Sequence, residues 1–171
     1  MLRILGMILL NIGLSNLVYA NTISESQKFI GLEASFTNVQ GQQPSDTSDD
    51  VSYGLRLGAE NEAWRTMFIL DYYDSDVHNV EKAFLTMDYF FLRSDGISNS
   101  ALQPYIGLNL GYMNFESSSE DASGLLYGGQ AGIVLDMMEN IDLDLGYRYS
   151  LSGTDEFDHS GEVVFGINYK F

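Results

Sequence analysis

From Lys28 onward, apolar side chains recur at every second position. Glycine, polar or charged residues alternate with them in runs of about ten, the length a tilted strand needs to cross a bilayer. Eight such runs follow one another. In the first half the apolar rows are Ile30, Leu32, Ala34 and Phe36; Val51, Tyr53, Leu55, Leu57 and Ala59; Trp64, Thr66, Phe68, Leu70 and Tyr72; and Ala83, Leu85, Met87, Tyr89 and Phe91. The second half repeats the pattern with Ile106, Leu108, Leu110 and Tyr112; Tyr127, Gly129, Ala131, Ile133 and Leu135; Ile141, Leu143, Leu145, Tyr147 and Tyr149; and Val163, Phe165, Ile167, Tyr169 and Phe171. The expectation is an all-β fold: an eight-stranded antiparallel up-and-down barrel.

The connections decide between a soluble and a membrane barrel. Asn38–Asp50, Asp74–Asn79, Glu116–Gly124 and Ser152–Ser160 are polar and acidic. Between them, Asn61–Ala63 and Met137–Asn140 are short turns. Long loops on one side and tight turns on the other are the asymmetry of outer-membrane barrels. Leu92–Gln103 is longer than that rule wants. Aromatic residues also gather at the margins of the apolar face, at Trp64, Tyr72, Tyr89, Phe91, Tyr112, Tyr127, Tyr147, Tyr149 and Tyr169. Amphipathic rings prefer the headgroup level, whereas a soluble core has no reason to place them at its edges. A soluble periplasmic barrel is the structural rival.

The N-terminus supports export. Arg3 precedes a largely apolar stretch, Ile4 to Val18, broken by Asn11, Ser15 and Asn16. Val18-Tyr19-Ala20 then offers a cleavage site. The expected organisation is a signal peptide at 1–20, a short segment at 21–26 and the barrel at 27–171. With no cysteine there is no disulfide framework and no thiolate chemistry.

Eight Lys and Arg stand against 24 Asp and Glu, a net charge of −16. This balance argues against nucleic acid as a partner, because phosphate binding needs clustered cations. The acids are concentrated in the polar connections: Asp46, Asp49, Asp50, Asp74, Asp76, Glu116, Glu120, Asp121, Asp155, Glu156 and Asp158. Such carboxylates suit hard divalent cations shared with lipopolysaccharide phosphates, or simply a solvated, repulsive surface. No segment has the spacing of an EF-hand, and no metal or cofactor is expected.

The inward positions allow a test of register. With symmetric polar connections, Asp71 faces Lys82, Arg65 faces Asp88, Glu33 faces Arg56 and Asp142 faces Lys170. Asn109 then faces Gln130, Gly107 faces Gly132 and Asp144 faces Asn168. Opposite charges meet four times and like charges never do. The expected lumen is a packed polar network of Glu33, Arg56, Arg65, Asp71, Lys82, Asp88, Asp142, Asp144, Arg148 and Lys170. A barrel of eight strands is just wide enough for side chains to fill it. Inward Gly107, Gly111, Gly128 and Gly132 leave space on one side, enough for ordered water or a narrow conduit.

These features resemble the small outer-membrane barrels of the OmpA-like, OmpX-like and opacity types, over about residues 27–171. The terminal strand Val163-Val164-Phe165-Gly166-Ile167-Asn168-Tyr169-Lys170-Phe171 carries the most specific likeness. Through that resemblance, Phe165, Ile167, Tyr169 and Phe171 are the expected signal for the barrel assembly machinery. The resemblance also implies a monomer in the outer membrane, in contact with its lipids and lipopolysaccharide. Unlike OmpA itself, the chain stops at Phe171 without a peptidoglycan-binding domain, so a role as a cell-wall tether is not expected.

Some barrels of this size modify lipid A, which raises catalysis as a function class. The candidates are His78, His159, Ser160 and the acids of the polar connections. A hydrolase needs nucleophile and base in reach of each other, and adjacent residues on a strand point to opposite faces. The reading is therefore a non-enzymatic barrel contributing to envelope integrity or surface interactions. A narrow channel is the runner-up, and a lipid-modifying enzyme follows it.

Overall fold

The computed structural model describes residues 26–40, 47–74, 78–91, 102–117, 121–153 and 159–171. They form eight strands: β1 (Gln27–Gln40), β2 (Thr47–Glu60), β3 (Trp64–Asp74), β4 (His78–Phe90), β5 (Leu102–Ser117), β6 (Asp121–Met138), β7 (Ile141–Ser152) and β8 (His159–Lys170). Each pairs antiparallel with the next, and β8 returns to β1 from Phe29↔Lys170 to Gln40↔His159. Closure leaves no strand edge unpaired, which is what allows a sheet to stand in lipid. The signal peptide expected at 1–20 and the segment at 21–26 lie outside the described residues, Ser26 excepted, as does nearly all of the long stretch Leu92–Gln103.

Alternation along each strand divides the molecule into two surfaces. Leu32 and Leu108 are 61% and 73% exposed, while the intervening face carries buried Glu33 and Asn109. All nine aromatic residues expected at the margins are exposed on the outer surface. In water this arrangement would be inside out; around a barrel in a bilayer it is the required one.

The short turns have local causes. Asn61 Oδ1 accepts from the backbone N–H of Ala63 at 2.9 Å and of Trp64 at 2.8 Å, closing the three-residue turn expected there. The turn at Met137–Asn140 contracts to Glu139–Asn140, because β6 continues to Met138 through an irregularity between Asp136 and Met138. On the opposite side the strands also run further than expected. Gln40 pairs with Thr47, Asp74 with Asn79 and Glu116 with Asp121. Much of the sequence expected as loop is therefore paired sheet.

Register agrees at one hairpin and differs at three. Across β3 and β4, Asp71 faces Lys82 and Arg65 faces Asp88 as expected. Glu33, however, faces Gly54, and Arg56 faces Gly31. Asn109 faces Gly128, while Gly107 faces Gln130 and Gly132 faces Tyr105. Asp142 faces Asn168 and Asp144 faces Gly166. Every one of these differences is a two-residue slide that keeps each side chain on its expected face.

Candidate functional site: the charged lumen

The inward face brings the sequence-predicted charges together, and the slide in register does not separate them. Diagonal neighbours across a strand pair are within reach of long side chains. Arg56 Nε still pairs with Glu33, and Lys170 Nζ reaches Asp142 at 3.4 Å. Arg65 Nη2 lies 2.8 Å from Asp88.

Other contacts cross the bore. Arg56 Nη1 and Arg65 Nη1 converge on Asp144 Oδ2, at 2.8 and 3.0 Å. Arg148 Nη1 lies 3.3 Å from Asp71 on the far side and 3.2 Å from Glu33, and also 3.2 Å from Glu162, its direct partner on β8. Lys82 pairs with Glu162, and so ties β4 to β8 across the barrel. Planar guanidinium groups suit such shared geometry because each presents several fixed donors. Aromatic faces complete the packing: Arg65 stacks 4.6 Å from the Tyr105 ring centroid and Arg148 4.7 Å from that of Phe84.

A second cluster sits nearer the short turns. Lys170 Nζ is 2.9 Å from Asp136 and 3.6 Å from Glu60, and Asn168 Nδ2 donates to Asp142 at 2.7 Å.

Among the participants absent from the predicted set are Glu162, Tyr105, Gln130, Glu60, Asp136 and Asn168. Tyr105 Oη donates to Asp144 at 2.9 Å, and Gln130 Nε2 donates to Asp88 at 2.6 Å. Glu162 and Tyr105 each precede by one residue the start read for their strand, and parity with Lys170 and Asn109 would have placed both inward. The lumen is also less uniformly polar than expected. Phe29, Met67, Ile69, Phe84, Met113 and Leu126 form one buried cluster, and Phe90, Tyr105 and Val134 another.

Nor do the inward glycines leave the expected space. A Cβ on Gly111 would lie 2.4 Å from the Phe84 ring, and one on Gly107 2.0 Å from Asp88. Gly132 and Gly146 are occupied by the Tyr105 hydroxyl, and Gly128 is crowded by the backbone at Tyr149 and Ser150. These glycines make room for large neighbours. The pocket among Arg56, Tyr105, Gln130, Arg148 and Val164 has no space for a water molecule.

His159 and Ser160 diverge as adjacent strand residues do. The imidazole packs against Tyr149, centroids 5.5 Å apart, whereas Ser160 Oγ donates into the lumen to Glu162 at 3.2 Å. No group of metal-ligating side chains occurs among the described residues.

A closed eight-stranded antiparallel barrel, apolar outside and charged within, is a transmembrane barrel of the outer-membrane class. The chain belongs to the outer membrane protein beta-barrel domain family, whose family model matches residues 9–171. Its place is the bacterial outer membrane. Among solved structures it is similar to Neisserial surface protein A, with 20% identity over 84% of this chain and 97% of that one and a TM-score of 0.66. It is also similar to OprH from Pseudomonas aeruginosa in micelles (19% identity, 85% and 99% coverage, TM-score 0.62). The N-terminal barrel domain of OprF from the same organism gives 15% identity, 86% and 100% coverage and a TM-score of 0.60. At these identities the likeness is one of fold, that of small eight-stranded outer-membrane barrels. No curated protein matches the chain.

Proposed function

We propose that this barrel is a non-enzymatic envelope protein with a plugged lumen, acting through its acidic extracellular connections in envelope integrity or surface interactions. The supporting observation is the way Arg148, Arg56 and Lys82 bind carboxylates on strands across the bore. An ion entering would have to displace buried pairs whose disruption costs about 3–5 kcal/mol each. The separation of His159 from Ser160 supports the non-enzymatic part. Five of the eight cations are buried in the lumen, whereas the eleven acids of the polar connections have no Lys or Arg among them. The working surface is accordingly anionic.

The test is complementation of a strain lacking the protein, read as detergent sensitivity and as binding of cells to surfaces. The variant neutralises Asp46, Asp76, Glu120, Asp155, Glu156 and Asp158 to Asn or Gln. The wild type is expected to complement, and the variant to assemble but fail. A variant that complements fully would remove the acidic connections from the account.

A further inference from the structure

The outer surface of the barrel is not uniformly convex. A groove of about 740 Å³ crosses strands β3 to β7, with walls formed by Trp64, Tyr89, Leu108 and Tyr147 and a floor formed by Gly129 and Ala131. Its lining is overwhelmingly apolar. Gly129 differs from the glycines of the lumen: a Cβ there would meet only the Gly107 carbonyl oxygen, at 3.3 Å, and would otherwise enter open space. The groove follows the row of register partners Trp64↔Tyr89↔Ile106↔Ala131↔Tyr147, which climbs as the strands tilt.

One end is fixed in depth. Trp64 and Tyr89 pack with ring centroids 4.9 Å apart, tilted at 56°, beside the Asn61–Ala63 turn, on the short-turn side that faces the periplasm in this family. Interfacial Trp and Tyr mark the headgroup level. From there the groove leads to Gly129, midway along β6. It thus begins at the periplasmic headgroups and ends within the hydrocarbon, continuous with the lipid-facing belt.

The geometry points to a binding site for one acyl chain of a periplasmic-leaflet phospholipid, lying along Gly129 and Ala131 with its headgroup end at Trp64 and Tyr89. A second barrel is a poorer occupant. Barrel exteriors are convex, so two barrels touch along a line, whereas a flexible hydrocarbon chain follows a concave floor. The almost wholly apolar lining suits a hydrocarbon and gives a headgroup little to bind below the girdle.

Trp64 is the chain's single tryptophan, so its fluorescence reports the groove directly. The experiment adds phosphatidylcholine brominated on its acyl chains to the full-length protein, folded in detergent micelles, and follows quenching. The wild type is expected to show a saturable quenching component. Gly129→Leu with Ala131→Leu fills the floor and should lose that component, leaving only quenching proportional to bulk lipid. Ala34→Leu, on the outer face of β1 away from the groove, should retain it. Heat-modifiable gel mobility establishes that every variant is folded. Three results would overturn the assignment: no saturable component in the wild type, equal saturation in the filled variant, or a protein-concentration-dependent dimer that the filled variant abolishes.

Discussion

Tyr105 donates its hydroxyl to Asp144 at 2.9 Å from within a notch made by Gly132 and Gly146, which are paired directly across β6 and β7. The notch lets a ring rooted on β5 reach a carboxylate on β7 that also receives Arg56 and Arg65. A Cβ at position 132 would lie 2.6 Å from the Tyr105 hydroxyl and 2.5 Å from the Leu145 carbonyl oxygen. Gly132→Ala is therefore expected to destabilise the barrel by about 1–3 kcal/mol, the usual range for overpacking. Tyr105→Phe, which removes one donor from a carboxylate with two cations remaining, should cost about 0.5–1.5 kcal/mol. Urea unfolding in vesicles orders the two. Equal stability of Gly132→Ala and wild type would contradict the notch.

Arg148 is the shared cation of Glu33, Asp71 and Glu162. Arg148→Met leaves three buried carboxylates without it, for an expected loss of about 3–5 kcal/mol. Adding Glu33→Gln to that variant should recover part of the loss. A double-mutant cycle is expected to give a coupling of about 0.5–3 kcal/mol between the two positions. Strict additivity would mean that the contact carries no energy.

Leu108 is the most exposed large apolar side chain on the barrel wall, near the middle of β5. In a bilayer, Leu108→Arg should cost about 2–4 kcal/mol. A soluble barrel would tolerate the same change with little effect. Unfolding of the variant in vesicles of two thicknesses, compared with wild type, reads the difference.

The faces of the strands were legible in the sequence, and so was the predicted charge set, because a period of two admits a single inside and a single outside. Hairpin register was legible only at β3 and β4. A slide of one residue turns every side chain over and is forbidden by the pattern, but a slide of two preserves it. Asp144 opposite Gly166 and Asp144 opposite Asn168 satisfy alternation equally well; only the turn decides, and a symmetric loop was the wrong midpoint at three hairpins. The filling of the lumen was hidden for a related reason. Gly111 reads as vacant until Phe84 is seen to occupy it, and such three-dimensional complementarity has no signature along the chain.

Phe165, Ile167, Tyr169 and Phe171 all project outward, and the Phe171 backbone N–H donates to the Lys28 carbonyl at 2.9 Å, beside the β8–β1 seam. We propose that these four residues form an assembly signal, which predicts a split between settings. Phe171→Ala should lower the amount of folded protein in the outer membrane while leaving refolding into detergent micelles unchanged. Quantitative gel-shift analysis of membranes and of refolded protein measures both. A parallel loss in the two would assign Phe171 to stability instead.

Whether the charged lumen is closed to ions is best tested by current recording from the refolded wild type in a planar lipid bilayer, with insertion verified by protease protection. A silent membrane is expected for wild type and discrete openings for Arg148→Ala, where the contacts of Arg148 to Asp71 and Glu33 are lost. Reproducible conductance steps from the wild type would contradict the plugged lumen and make the same residues the lining of a narrow channel.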